Sequence, residues 1–238
     1  SHLALDELRI YQRALTAGEI LASKTAGPDP GAGAPEPPVP PQLPESRWSF
    51  NDAPGAAASG SAFTDAASGE TATVRGNGAT LSGTALVLPG TSNGNQSAAN
   101  ISAYLDLANG TLSSRPSLSF EAWITPVSSK NWQRVFDFGN CTITSGVGAA
   151  NGEIIDGPAA PGVSQASDNL MLSNSKNNVL GSHRLEGMLD NASVLTVDTD
   201  LSGSTTGGTE YHYVLTVQDA AGAYGSSGCQ AKWYRNGE

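Results

Sequence analysis

Residues 117–125 read Ser-Leu-Ser-Phe-Glu-Ala-Trp-Ile-Thr, and this stretch decides the fold class. Apolar side chains recur at every second position from Leu118 to Ile124. Successive side chains of a β-strand point to opposite faces of a sheet, so this spacing predicts a strand with one face packed inward. Glu121 and Trp123 fall on the opposite face of the same strand.

The same two-residue period recurs along the chain. Residues 134–138, 170–172, 211–217 and 232–235 alternate in this way, and loops rich in Gly, Ser and Asn separate them. No stretch places apolar residues at helical spacing over three turns. Many short strands joined by turns predict an all-β fold, namely an antiparallel β-sandwich of the jelly-roll type.

Composition divides the chain into three segments. Residues 1–23 carry an alternating run and then Thr16 three residues before Glu19, a capping box that predicts one short helical turn. Residues 24–46 contain eight of the 14 prolines and are predicted to be an extended Pro-rich linker. Residues 47–238 contain 14 of the 15 aromatic residues and form the predicted folded domain.

The charge balance excludes some partners. Twelve basic against 22 acidic residues give a net charge of −10, so binding to nucleic acid, heparin or an anionic membrane surface is not expected. The sequence has no apolar run of about 18 residues, so membrane insertion is not expected either.

Several motifs, in a consistent order, resemble the laminin-G-like, concanavalin A-like jelly-roll modules of large secreted proteins. They are residues 104–107, 118–124, 132–139, 211–217 and 232–238. The resemblance implies an extracellular or cell-surface location, neighbouring modules of the same chain as partners, and carbohydrate or glycoprotein as the ligand class.

The resemblance also assigns the ends of the chain. Residues 5–15 resemble the last strand of such a module, so residues 1–23 would be the C-terminal strand and turn of a preceding module. Residues 47–238 would then be a laminin-G-like module lacking its last strands. On this view the chain is a fragment of a larger multi-module protein.

A missing last strand would leave unpaired backbone groups beside the first strand, residues 47–50. We therefore expect residues 3–11 to dock there, with Leu8 and Ile10 pointing into the sandwich. Strict alternation along the strand would place Leu3 and Leu5 on the face opposite to that of Leu8 and Ile10. The linker is long enough to loop back, and closing it costs little more than closing a shorter loop.

Catalysis has little support in the sequence. None of the three His residues lies in a His-Glu-x-x-His zinc pattern. Glu121 stands alone in its strand, without the paired carboxylates that glycoside hydrolysis needs. We therefore expect that the protein is not an enzyme.

The segment from Asp198 to Gly203 resembles a calcium loop. Asp198, Asp200 and Ser202 provide oxygen atoms at positions 1, 3 and 5, and Gly203 follows at position 6. The closing acid is Glu210, one position later than the usual twelfth. Asp198, Asp200 and Glu210 are therefore candidate Ca²⁺ ligands, and the alternative is an ordinary turn in which Asp bonds its own backbone.

The two cysteines, Cys141 and Cys229, are far apart and show no metal-binding spacing. In an exported domain they would form a disulfide; two buried thiols are the alternative.

Trp132 is the candidate ligand-binding aromatic. It follows the polar residues 128–131, which favour exposure, and an aromatic face can cover the apolar face of a sugar ring. The alternative is that Trp132 belongs to the core.

These observations favour a non-catalytic extracellular binding module for carbohydrate or glycoprotein. Two alternatives stay open. One is a structural or adhesion spacer repeat of a large surface protein, and the other is an accessory domain of a hydrolase encoded elsewhere in a longer chain.

Overall fold

The computed structural model describes residues 3–29, 43–65, 67–90, 103–108, 110–112, 115–139, 169–189, 192–219 and 229–238. These residues form fifteen strands, one α-helix and two short 3-10 turns. The strands are β1 (Leu3–Tyr11), β2 (Ser46–Ser49), β3 (Gly55–Ala56), β4 (Ala62–Thr64), β5 (Thr71–Arg75), β6 (Thr80–Leu81), β7 (Leu86–Leu88), β8 (Tyr104–Asp106), β9 (Leu118–Pro126), β10 (Gln133–Gly139), β11 (Asn169–Ser175), β12 (Ser182–Leu189), β13 (Ala192–Asp200), β14 (Tyr211–Asp219) and β15 (Cys229–Arg235). The helix is α1 (Ala17–Ala26), and the 3-10 turns span Lys176–Asn178 and Ser202–Ser204.

All strand pairs are antiparallel among the described residues, and they build three sheets. The large sheet has the order β15-β14-β9-β1-β7-β6-β3, with β2 also paired to β1. A second sheet has the order β10-β11-β12-β13, and a third has the order β4-β5-β8. The prediction of an all-β antiparallel fold is confirmed.

Aromatic contacts join the sheets into a sandwich. Phe120 of the large sheet lies 4.9 Å from Phe136 and 5.4 Å from Phe138 of the four-stranded sheet, measured between ring centroids. Phe50 and Phe63 make a similar contact at 5.1 Å, which joins the large sheet to the three-stranded one. One continuous apolar core therefore lies between the sheets.

Strand β1 lies inside the large sheet. Leu8 is opposite Ala122 of β9 in one register and opposite Trp48 of β2 in another. Near its start, β1 also pairs with β7. The expectation that residues 3–11 dock beside the strand at 47–50 is confirmed by these registers.

A β-bulge changes which β1 side chains reach the core. The register with β9 shifts between Leu5 and Glu7, which leaves Asp6 as the extra residue. An extra residue reverses the alternation beyond it, so Leu3 and Leu5 face the same core as Leu8. The prediction that Leu3 and Leu5 lie on the opposite face from Leu8 is therefore wrong, and the bulge is the reason.

Helix α1 covers the face of the large sheet opposite the core. Its capping box is formed: the Thr16 hydroxyl accepts a bond from the Glu19 N–H at 3.3 Å, and the Glu19 carboxylate accepts one from the Thr16 N–H at 2.8 Å. The predicted single turn extends to ten residues. Ile20 is fully buried in a small apolar cluster with Tyr11 and Val214. Among the described residues, no helix is long and apolar enough to cross a membrane.

Charged side chains fill the space between α1 and the sheet. Glu7 is fully buried and accepts bonds from Arg47 Nε at 2.7 Å and Arg47 Nη2 at 2.8 Å. Arg9 also donates to Glu7, and its guanidinium lies 4.5 Å from the Trp123 ring centre. Arg9 further donates to Ser23 Oγ at 3.0 Å, which ties α1 to β1.

Glu121, which stands alone in its own strand, has partners from two others. It accepts a bond from the Tyr11 hydroxyl at 2.8 Å and is hydrogen-bonded to His212 Nε2 at 2.7 Å. Burial by itself would raise the pKa of Glu121, but the hydrogen bond from His212 and the charges of His212 and Arg9 lower the pKa below its ordinary value. The buried acid is thus kept ionised and paired, and it ties β9 to β1 and β14.

We predict that Leu8→Ala lowers the free energy of unfolding by about 2–5 kcal/mol, because it leaves a cavity in a fully packed core. Leu8 is 3 % exposed. The measurement is chemical denaturation. Leu43→Ala is the matched control. Leu43 is 83 % exposed, so this substitution should lower the free energy of unfolding by less than about 0.5 kcal/mol. Equal effects of the two substitutions would show that β1 is not part of the core.

Candidate functional site

Trp132 lies in the turn before β10 and has a left-handed backbone, with φ at 54°. A bulky residue rarely adopts a positive φ, and such strain is found at functional sites. Two hydrogen bonds hold this conformation. The Trp132 N–H donates to the Ser175 carbonyl at 2.9 Å, and the Trp132 carbonyl accepts from Arg134 Nη1 at 2.9 Å. The Trp132 side chain is half-buried.

Two guanidinium groups lie beside the Trp132 ring. The Arg184 guanidinium carbon is 5.3 Å from the ring centre, and that of Arg134 is 5.8 Å away. Both distances are within the range of cation–π attraction. Arg184 and Arg134 come from β12 and β10, so the sheet holds them on either side of β11.

Carboxylates orient both arginines. Arg184 donates to Asp198 through Nε at 2.7 Å and through Nη2 at 2.8 Å, a two-point contact. Arg184 also reaches Glu186 at 3.3 Å, and Arg134 donates to Asp137 at 3.1 Å. Such pairs fix a planar guanidinium in one orientation.

Strand register places these groups in one row. Arg134 lies opposite Ser173, Ser173 opposite Arg184, and Arg184 opposite Asp198. The row runs across the four-stranded sheet on its outer face, since Leu172 and Leu185 point into the core. We call this area the Trp132 surface; it consists of Trp132, Arg134, Asp137, Arg184, Glu186 and Asp198.

The Trp132 surface presents an aromatic ring edged by hydrogen-bond donors and acceptors in fixed positions. That combination suits a ligand with an apolar ring face and a rim of hydroxyl groups. Among the residues that the structure describes, no group of three or more His, Cys, Asp and Glu side chains could hold a metal ion.

The three candidate calcium ligands have separate partners. Asp198 is bonded to Arg184 and Lys176, and these bonds hold the pKa of Asp198 well below its usual range. Asp200 accepts a bond from the Ser202 N–H at 2.9 Å, as the turn alternative predicts. Glu210 lies beside Asp6. The three side chains do not form one ligand group, and calcium binding at them stays a prediction.

The predicted disulfide involves one residue that lies outside the described part of the chain, Cys141. Cys229 begins β15, where its backbone lies opposite Asp219 of β14. The disulfide also stays a prediction.

A carboxyl pair that the sequence did not indicate lies at the β1 bulge. Burial raises the pKa of Asp6 to about 7, and the nearby Glu210 carboxyl adds to this effect. The bulge brings Asp6 to this position, and its sign in the sequence is the change of apolar phase between Leu5 and Leu8. We therefore expect the pair to lower the protein's stability as the pH rises from 3.8 to about 7.

A cleft of about 320 Å³ lies between β15 and strands β12 and β13. It is lined by Leu185, Val197, Ala231, Lys232, Trp233, Tyr234 and Glu238. Trp233 stacks on the buried His183, with ring centres 4.8 Å apart, and burial lowers the pKa of His183 to about 4. The imidazole behind this cleft is therefore neutral at pH 7.

Comparison of the chain with protein-family models, with curated proteins and with solved structures finds no match. The fold and the site therefore define the class of protein. It is an antiparallel β-sandwich whose four-stranded sheet carries the Trp132 surface, a tryptophan ring beside arginines and carboxylates, on its outer face.

We predict that Asp6→Asn raises the melting temperature more at pH 8 than at pH 5. The ordinary pKa of Asp is 3.8 and the folded-state pKa is about 7, so between these values the folded state holds a proton that the unfolded state releases. Stability of the native protein therefore falls as pH rises through this window, and Asn removes that loss.

Asp52→Asn is the matched control, since Asp52 is exposed. Thermal melts of both variants and the native chain should be recorded across the window. A difference between Asp6→Asn and the native chain that stays constant with pH would contradict the assignment.

Proposed function

We propose that this chain is a non-catalytic module that binds carbohydrate, free or on a glycoprotein, through the Trp132 surface. The observation that carries the proposal is the conformation of Trp132. A bulky residue is held at φ 54° with its side chain half-buried beside two guanidinium groups that carboxylates orient. Local strain of this kind needs support from surrounding structure, and placing an aromatic face for a ligand is a reason to maintain it.

The polar rim supports the same ligand class. Arg184 and Asp198 form a two-point pair, and a guanidinium has five N–H donors and a carboxylate about four acceptor sites, so each keeps some capacity beyond that pair. A sugar hydroxyl is both donor and acceptor, so it can bond either member of such a pair. The aromatic ring would meanwhile cover the C–H face of the pyranose.

The charge balance of the site favours neutral sugars over acidic ones. The Trp132 surface contains two cations and three carboxylates, and Lys176, which pairs with Asp198 at its border, supplies the third cation. No excess positive charge is left to attract a uronate or sulfate, and the chain as a whole carries −10.

We further propose that the sandwich is a laminin-G-like jelly roll and that the protein works outside the cell, beside other modules of the same chain. The sandwich architecture supports this, as does the insertion of β1 beside β2, the place that the resemblance gives to the last strand. A structural spacer is the alternative function, which a lack of binding to every sugar would favour.

The test is an array of neutral and acidic glycans probed with the native chain and with Trp132→Asn. Asn tolerates a left-handed backbone, so this variant should keep its fold while losing the ring. We expect saturable binding of neutral glycans by the native chain. The variant should bind at least about thirtyfold more weakly, the loss of an aromatic hot spot worth about 2 kcal/mol.

Tyr104→Asn is the matched control, because Tyr104 is a half-buried aromatic residue of a different sheet. It should leave glycan binding unchanged. Equal loss in both variants would mean that binding depends on general stability, and full binding by Trp132→Asn would remove Trp132 from the site.

A further inference from the structure

The Trp132 ring lies over β11, at one position of the row that crosses the four-stranded sheet. Its guanidinium neighbours come from the strands on either side, Arg134 from β10 and Arg184 from β12. The Trp132 N–H bonds the carbonyl of Ser175 in β11 itself. Ser173 of β11 lies opposite both arginines and has no exposed surface, as expected beneath these side chains.

The exposure of the outer-face side chains increases from β11 to β13. On β11, Ser173 is fully buried and Met171 is 2 % exposed. The Arg184 side chain on β12 is 21 % exposed, and the Asp198 side chain on β13 is 45 % exposed. Groups that can bond a ligand therefore follow one another across the strands, whereas the side chains along β11 are covered.

The strands set the spacing of these groups. Neighbouring strands are about 4.8 Å apart, so Asp198 on β13 lies roughly 10 Å across the sheet from β11. One pyranose unit of an extended, β-linked sugar chain advances by about one strand separation. Three consecutive units laid across the strands therefore match the positions of Trp132, Arg184 and Asp198.

We propose that the Trp132 surface binds three consecutive units of an extended, β-linked neutral oligosaccharide that runs across the strands. This inference rests on the carbohydrate-binding function proposed above and specifies the kind of carbohydrate. Trp132 stacks on the first unit, Arg184 donates to hydroxyl groups of the second, and Asp198 accepts from a hydroxyl group of the third.

Asp198 is oriented for the third unit before any ligand arrives. Its carboxylate accepts from Arg184 Nε at 2.7 Å, from Arg184 Nη2 at 2.8 Å and from Lys176 Nζ at 2.5 Å. A carboxylate has about four acceptor sites, so one is left for a hydroxyl group. Because the carboxylate is already fixed, the added hydrogen bond needs little further ordering of side chains.

The test is isothermal titration calorimetry of the native chain with cello-, manno- and xylo-oligosaccharides of one to six units. In a series that binds, we expect the affinity to rise roughly fivefold with each unit up to three, the net effect of about one hydrogen bond, and then to level off. Malto-oligosaccharides are the control series. Their α-linked chains curve and cannot lie flat across the sheet, so they should gain nothing beyond the first unit.

Asp198→Asn tests the third position. We expect it to weaken binding of the trisaccharide roughly fivefold and to leave binding of the disaccharide unchanged. Arg184 stays in place in this variant, because it keeps its bond to Glu186 and can donate to the new amide oxygen. Asp200→Asn is the matched control, since Asp200 is an exposed residue on the same face of β13 but outside the row. It should bind every length as the native chain does, and melting temperatures of both variants check the fold.

Three results would overturn this inference while leaving carbohydrate binding intact. Equal affinity for one unit and for three would show that the site holds a single sugar. Equal losses in Asp198→Asn and Asp200→Asn would show that the sugar chain runs along β13. Binding of other glycans on the array, with none of the three β-linked series bound, would exclude an extended chain. A native chain that binds no glycan in either experiment would overturn both the inference and the proposed function.

Discussion

The insertion of β1 into the large sheet is the constraint on which the rest of the structure depends. Leu8 and Ile10 of this strand enter the core, while Glu7 and Arg9 enter a charged layer beneath helix α1. Both faces of β1 are thus buried, and its backbone bonds β9 along most of its length. Because the core strand β9 also pairs with β14, removing β1 would expose apolar and ionised groups together.

The strands of the core were predictable, because their alternation is a local signal. The capping box at Thr16 is equally local, and both appear in the structure as expected. The bulge at Asp6 was missed, although it leaves a local sign: the apolar positions change from Leu3 and Leu5 to Leu8 and Ile10, which one extra residue between them requires. The partners of Glu121 were hidden for a different reason: His212 is 91 residues away, and only strand order brings it near.

In the candidate site too, local sequence identified one residue and strand register supplied its neighbours. The polar residues before Trp132 singled it out, but its neighbours Arg134 and Arg184 come together only through the register of β10, β11 and β12. Asp198 looked like a calcium ligand because of its spacing to Asp200. In the sheet Asp198 lies directly opposite Arg184, so a cation of the chain itself occupies its carboxylate. Spacing along the sequence indicates which side chains could bind a metal ion, whereas strand register decides which side chain lies nearest to each of them.

Amide hydrogen exchange measures whether β1 is held in the large sheet on both sides. Exchange from a strand hydrogen-bonded on both sides requires global unfolding, whereas exchange from a free edge requires only local opening. We expect the amides of Leu8 and Ile10 to exchange as slowly as those of Phe120 and Ala122 in β9. Exchange of the β1 amides orders of magnitude faster than that of the β9 amides would show that β1 detaches from the sheet and that the sheet does not depend on it.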